Sequence, residues 1–129
     1  MDESQQLTRR SIKKYVGIPY EVMNCWDLAK TFYSEILETD LKHYFDIVPS
    51  DRETMKNLIF TNIGDFKKVD GPSFGDLILM KMHGVESHIG IYIGDNYFLH
   101  TLKGSGSVID RLSKWETAIS GYYRSGGAA

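Results

Sequence analysis

A chain of 129 residues fits a single domain, and its 42% hydrophobic and 12% aromatic content can close a core without metal or disulfide staples. Fifteen basic residues against seventeen acidic ones leave a formal charge of −2, which gives no broad cationic face for nucleic acid or an anionic membrane. One cysteine excludes an internal disulfide, so the fold does not depend on an oxidising compartment.

In chain order, Met1 to Arg10 is polar and has no apolar leader core, and no later apolar run approaches the roughly 18 residues that span a bilayer. The expectation is cytoplasmic synthesis, with delivery by a larger assembly if the chain acts outside the cell. Leu7, Ile12, Tyr15 and Val16 form a short helical stripe that Gly17-Ile18-Pro19 breaks. Asn24 is a good N-cap, and Leu28, Ala29, Phe32 and Ile36 recur at helical spacing after it, predicting a helix over about residues 25–37. Cys25 opens that helix and is expected to lie outside its apolar stripe. Ser50 with Glu53 reads as a capping box for a short helix carrying Met55, Leu58 and Ile59.

From Gly75 the pattern changes to strands. Asp76–Met80, His88–Ile93 and Tyr97–Thr101 are three such runs, and Gly94-Asp95-Asn96 is a hairpin signal between the last two. Val108–Arg111 reads as a fourth strand, Ser113 with Glu116 as a brief helix, and Tyr122–Arg124 as a closing strand. Helices first and strands second predict an α+β fold, with N-terminal helices on a mostly antiparallel sheet. A single domain over residues 1–124 is expected, with residues 125–129 a flexible tail or an expression remnant.

The chemistry centres on Cys25. A thiol attacks as thiolate, and the positive end of a helix dipole is expected to lower its pKa toward neutrality. Free amides at the helix start add a donor for a developing oxyanion. The competing reading is that a lone cysteine is simply a small buried apolar residue. His88 begins one strand and His100 ends the next. Counting outward from an Asp95-Asn96 loop pairs Gly94 with Tyr97, Ile91 with His100, and His88 near Lys103. Whether the two imidazoles share a sheet face then depends on a bulge. If they meet, His88 is the general base and His100 holds its ring in the right tautomer. His43 and His83 belong to no pattern and read as ordinary polar residues.

Gly17-Ile-Pro-Tyr20, Asn24-Cys-Trp-Asp-Leu28, Gly75-Asp-Leu-Ile-Leu79, His88-Ile-Gly-Ile-Tyr-Ile-Gly94 and Phe98-Leu-His100 together resemble the NlpC/P60 family of cysteine peptidases, a papain-like α+β fold. The resemblance implies Cys25 as nucleophile, His88 as base, His100 as the orienting third member, and Tyr20 as the tyrosine whose hydroxyl lies by the oxyanion. It implies hydrolysis of the γ-D-glutamyl to diamino-acid bond of peptidoglycan stem peptides, with no metal and no cofactor. Trp26 directly after the cysteine, the run Phe32-Tyr-Ser-Glu-Ile-Leu37 and the ending Trp115…Gly121-Tyr-Tyr-Arg124 look like the branch found in bacteriophage tails. Tail-tip or hub proteins are then the expected partners, a virion tail acting on the cell wall the expected location, and neither nucleic acid nor membrane a partner. Asn24 stands where Asp is usual, and Asp27 where a small residue is usual; Asp27 is expected to raise the thiol pKa. Three alternatives remain: a structural tail-tip protein retaining the fold, a zinc site from Cys25, His83, His88 and His100, and an amidase or transferase using the same thioester.

Overall fold

The structure, a computed structural model, describes residues 12–38, 66–82 and 84–125. Helix α1 (Cys25–Glu35) is followed by strands β1 (Phe66–Val69), β2 (Leu77–Met82), β3 (Val85–Gly94), β4 (Tyr97–Leu102), β5 (Gly106–Arg111) and β6 (Ile119–Ser125). The strands form one antiparallel sheet in the order β1-β6-β2-β3-β4-β5. This is the α+β arrangement that the order of helical and strand patterns predicts.

Asn24 caps α1 by accepting the Asp27 N–H at 2.9 Å, and the helix stops two residues before the expected end, at an Ile36 cap. Cys25 does not lie outside the apolar stripe. Positions 25, 28, 32 and 36 step by three, four and four, the spacing of one helix face, and Cys25 joins Leu28 and Phe32 in the core. Of the earlier stripe Ile12 and Tyr15 are buried while Val16 is exposed; Leu7 and the Ser50–Glu53 segment lie outside the described residues.

Strand β1 has no counterpart among the strands expected from sequence, because Phe66-Lys-Lys-Val69 does not alternate. It is an edge strand pairing with β6, and its two lysines suit an edge that must not recruit further strands. The brief helix expected around Ser113 and Glu116 is a 3-10 helix over Leu112–Ala118, and it begins before Ser113. Its cap is Arg111, which makes no side-chain cap bond.

The pleat divides the core into two faces. Leu77, Leu79, Ile89, Ile91 and Leu99 pack with Trp26, Leu28, Ala29, Phe32 and Tyr33 of α1. Ile78, Met80 and Phe98 point the other way and are covered by Leu112, Trp115, Ile119 and Tyr122. Each fully buried Leu, Ile or Phe contributes roughly 1.5–3 kcal/mol. The Tyr33 hydroxyl donates to the Gly75 carbonyl, tying α1 to the start of β2.

Two local devices set the backbone around the helix start and the hairpin. Ser107 of β5 holds the segment before α1: its N–H donates to the Ile18 carbonyl (2.9 Å), its carbonyl accepts from Gly17 (2.8 Å), and its hydroxyl accepts from Ile18 N–H (2.8 Å) and donates to the Tyr15 carbonyl. The β3–β4 hairpin turns on Asp95 (φ 55°) and Asn96 (φ 67°), both left-handed, which matches the twist of the flanking strands. Gly94 pairs with Tyr97 as counted from sequence, but the next pair is Tyr92 with Phe98, leaving Ile93 as an extra residue. The expected Ile91–His100 pairing is therefore replaced by Ile91–Leu99.

Candidate active site

The Ile93 bulge decides which way the histidines point. Tyr92 and Phe98 are partners and share a face; His88 lies an even number of residues from Tyr92, and His100 from Phe98. Both imidazoles thus leave the same face, whereas the unbulged register would send them to opposite sides. His88 Nε2 and His100 Nδ1 are 2.9 Å apart, and both residues are buried, at 5% and 0% exposure. His100 Nε2 lies 2.7 Å from Asp110 Oδ2, which also accepts the Trp115 indole N–H at 3.1 Å.

Gly90 shares this face, two residues from His88 along β3. A Cβ there would lie 2.7 Å from Phe98 Cδ2 and 3.2 Å from Met80 Cε, so only glycine fits beneath the Phe98 ring. Phe98 in turn packs on His100 with ring centroids 4.4 Å apart, and Trp115 stands edge-on to His100 at 5.1 Å and 84°.

Cys25 approaches from the α1 side. The backbone amide of Ile89, one peptide bond from His88, and those of Trp26 and Cys25 at the helix start favour the thiolate form of its sulfur. The β3–β4 pairing has ended by that point, its last partners being Ile91 and Leu99. Tyr20 is half-buried in the turn before Asn24, with Lys103 Nζ 5.7 Å from its ring centre.

The electrostatics overturn one expectation. Burial pushes the Cys25 thiol up to about 11, with a smaller contribution from Asp27, and outweighs the three amides that favour thiolate. Desolvation and then the neighbouring His100 drive His88 down to about 3. At 3% exposure the helix dipole does not win, and the resting pair is neutral thiol with neutral imidazole.

Iodoacetamide alkylation of this single cysteine should therefore accelerate about tenfold per pH unit through the range of roughly 6 to 9, without a plateau. A plateau below neutrality would reveal an ion pair instead. Stability follows the same shifts. The depressed His88 favours folding above its unfolded value of about 6.5, and that contribution is lost as pH falls toward 3. The raised Cys25 makes stability decline as pH climbs from about 9 toward 11, a decline Cys25→Ala should remove.

A profile of the NlpC/P60 family matches residues 13–124. The chain belongs to the NlpC/P60 family. It is 40% identical over 40 residues to the murein DD-endopeptidase MepS/murein LD-carboxypeptidase of Escherichia coli, a stretch covering 31% of this chain and 21% of that protein. Among solved structures, an NLP/P60-family protein similar to lipoprotein from Staphylococcus aureus superposes with a TM-score of 0.63 at 21% identity, over 97% of this chain and 42% of that one. The NlpC/p60 domain of peptidoglycan hydrolase SagA gives 0.57 at 19% identity, over 88% and 91% respectively. These two likenesses establish the NlpC/P60 fold.

Within that fold the structure joins His88 to His100 and brings Cys25 to the peptide following His88. Asp110 is the participant that sequence reasoning missed. Its only signal was its place in Val108–Arg111, a run read purely as a strand. Among the described residues no three His, Cys, Asp or Glu side chains gather as a metal site, and His43 and His83 lie outside them. A cavity of about 510 Å³ beside the β3–β4 turn, lined by Asn96, Tyr97, Arg111 and Tyr122 among others, is not lined by Cys25, His88 or His100.

Proposed function

We propose that this chain is a cysteine peptidase that hydrolyses an amide bond in peptidoglycan stem peptides, the γ-D-glutamyl to diamino-acid bond, as part of a phage tail tip acting on the bacterial wall. The observation that carries the reading is the sulfur of Cys25 at a helix start, held against the Ile89 amide next to a histidine whose Nε2 is already engaged by a second histidine. With Nε2 so engaged, His88 Nδ1 is the one ring nitrogen left to serve the thiol in this reading.

Because both groups rest neutral, proton transfer accompanies attack. As Cys25 Sγ bonds to the scissile carbonyl carbon, its proton passes to His88 Nδ1. The oxyanion is held by the Cys25 N–H and the Tyr20 hydroxyl. The C–N bond breaks with the proton returned from His88 to the amine, and water, deprotonated by His88, hydrolyses the thioester to the acid and free thiol. His100 orients His88 throughout.

The murein peptidase activities named for the E. coli relative and the peptidoglycan hydrolase named for SagA support the substrate class. The Phe32–Leu37 run and the Trp115…Arg124 ending support the tail branch. Near-complete burial of Cys25 and His88 favours one second reading, a structural tail-tip protein that keeps the fold and turns nothing over.

Purified chain incubated with defined muropeptides, with products resolved by mass spectrometry, separates these readings. The expected product is a fragment beginning at the diamino acid, and alkylation of Cys25 should stop its release. Release of the whole stem from the sugar would make the chain an amidase, and absence of any product would leave the structural reading.

A further inference from the structure

We propose that Asp110 is a positioning residue that fixes the tautomer of both histidines, leaving His88 Nδ1 bare to accept the thiol proton. The inference deepens the peptidase reading and rests on it for its catalytic consequence, but its physical content does not depend on turnover.

Donors and acceptors set the tautomers one after another. The Trp115 indole N–H only donates, and it donates to Asp110 Oδ2. An ionised carboxylate only accepts, so the His100 nitrogen 2.7 Å from the same oxygen must carry a proton. Burial works against ionisation of Asp110, but bonds from His100 and Trp115, with Lys114 Nζ 3.5 Å from Oδ1, hold it below the usual carboxylate range. With Nε2 protonated, neutral His100 presents a bare Nδ1. That atom then accepts the His88 Nε2–H across 2.9 Å, and His88 keeps its lone pair on Nδ1.

Without Asp110 the polarity can reverse. His100 Nδ1–H would donate to His88 Nε2, His88 would carry its proton on Nδ1, and the thiol would face a donor. Geometry keeps the series in line: Asp110 pairs with Phe98 and so shares its face, while Phe98 and Trp115 clamp the His100 ring. When His88 takes the thiol proton, the charge is met by His100 and, through it, by Asp110. The ionisable groups that act on the pair from neighbouring elements are Asp110 on β5 and Lys114 on the 3-10 helix. Lys114 opposes protonation of His100 and Asp110 favours it.

The test uses the full chain with 15N-labelled histidine, in wild type, Asp110→Asn and Asp110→Leu. In wild type both rings should show the Nε2–H tautomer. In Asp110→Leu an Nδ1–H population should emerge at both, with kcat on muropeptide lowered about 10- to 100-fold at nearly constant KM, less than for a carboxylate bonded directly to the base. Asp110→Asn keeps an acceptor for Trp115 and His100 but loses the charge. It should retain the tautomers, while the pair takes up its first proton at lower pH and the acid limb of kcat/KM moves the same way. Wild-type-like tautomers in a folded Asp110→Leu would overturn the proposal, as would an unmoved protonation midpoint in Asp110→Asn, which also covers a Leu variant that fails to fold. Both 15N readings stand even if wild type cleaves nothing, so failure of the peptidase reading is told apart from failure of this one.

Discussion

Cys25→Ala is expected to lower turnover of peptidoglycan stem peptide by about 10⁴-fold or more, equivalent to roughly 5.5 kcal/mol of transition-state stabilisation. The covalent route needs the sulfur, and no second cysteine exists to replace it. Removal of the sulfur from a side chain packed with Leu28, Phe32 and Ile89 leaves a small void costing about 1 kcal/mol, so the variant should fold and bind substrate. His88→Ala should lose about as much activity. The double variant should be hardly worse than either single one, because nucleophile and base act as a unit. His100→Ala should lose less, since His100 orients His88 and moves no proton to substrate. The check is muropeptide hydrolysis alongside circular dichroism. Digestion that survives in Cys25→Ala would end the cysteine-peptidase reading.

The elements were legible wherever one local pattern acts alone. Asn24 before Leu28, Phe32 and Ile36 fixes the start of α1, and alternation around Asp95-Asn96 fixes β3, the turn and β4. The relation between His88 and His100 was not legible, because it depends on the parity of pairing. A single extra residue at Ile93 inverts that parity, and nothing in the side chain of an isoleucine marks a bulge. Asp110 was invisible for a related reason: its contact with His100 runs diagonally between neighbouring strands, joining residues ten apart in the chain. The thiol pKa was misjudged because sequence places Cys25 at a helix start but does not report depth, and desolvation exceeds the dipole there. Strand β1 escaped because an edge strand with two lysines has no apolar period to read.

Gly90→Ala tests whether the close approach of Phe98, which packs on His100, is itself part of the site. The added methyl would sit 2.7 Å from Phe98 Cδ2, closer than carbon atoms tolerate, and 3.2 Å from Met80 Cε. Phe98 and Met80 are both fully buried, so neither has solvent to move into. The Phe98 ring, 4.4 Å from His100 and 6.5 Å from Trp115, must then press on the residues that hold the imidazole pair. Overpacking of this kind costs about 1–3 kcal/mol, against a gain of about 0.4–1 kcal/mol from a less flexible unfolded chain, so net destabilisation is expected. Turnover should fall further than stability explains, because displacement of His100 lengthens its 2.9 Å bond to His88. Phe98→Leu removes the ring atom in the way. The Gly90→Ala/Phe98→Leu pair should therefore recover stability and turnover beyond the sum of the single changes, a coupling of about 0.5–3 kcal/mol in a double-mutant cycle. Strict additivity would mean that the glycine is required for some reason other than the approach of Phe98. A Gly90→Ala variant with full turnover would mean that the histidine pair is not confined by its neighbours at all.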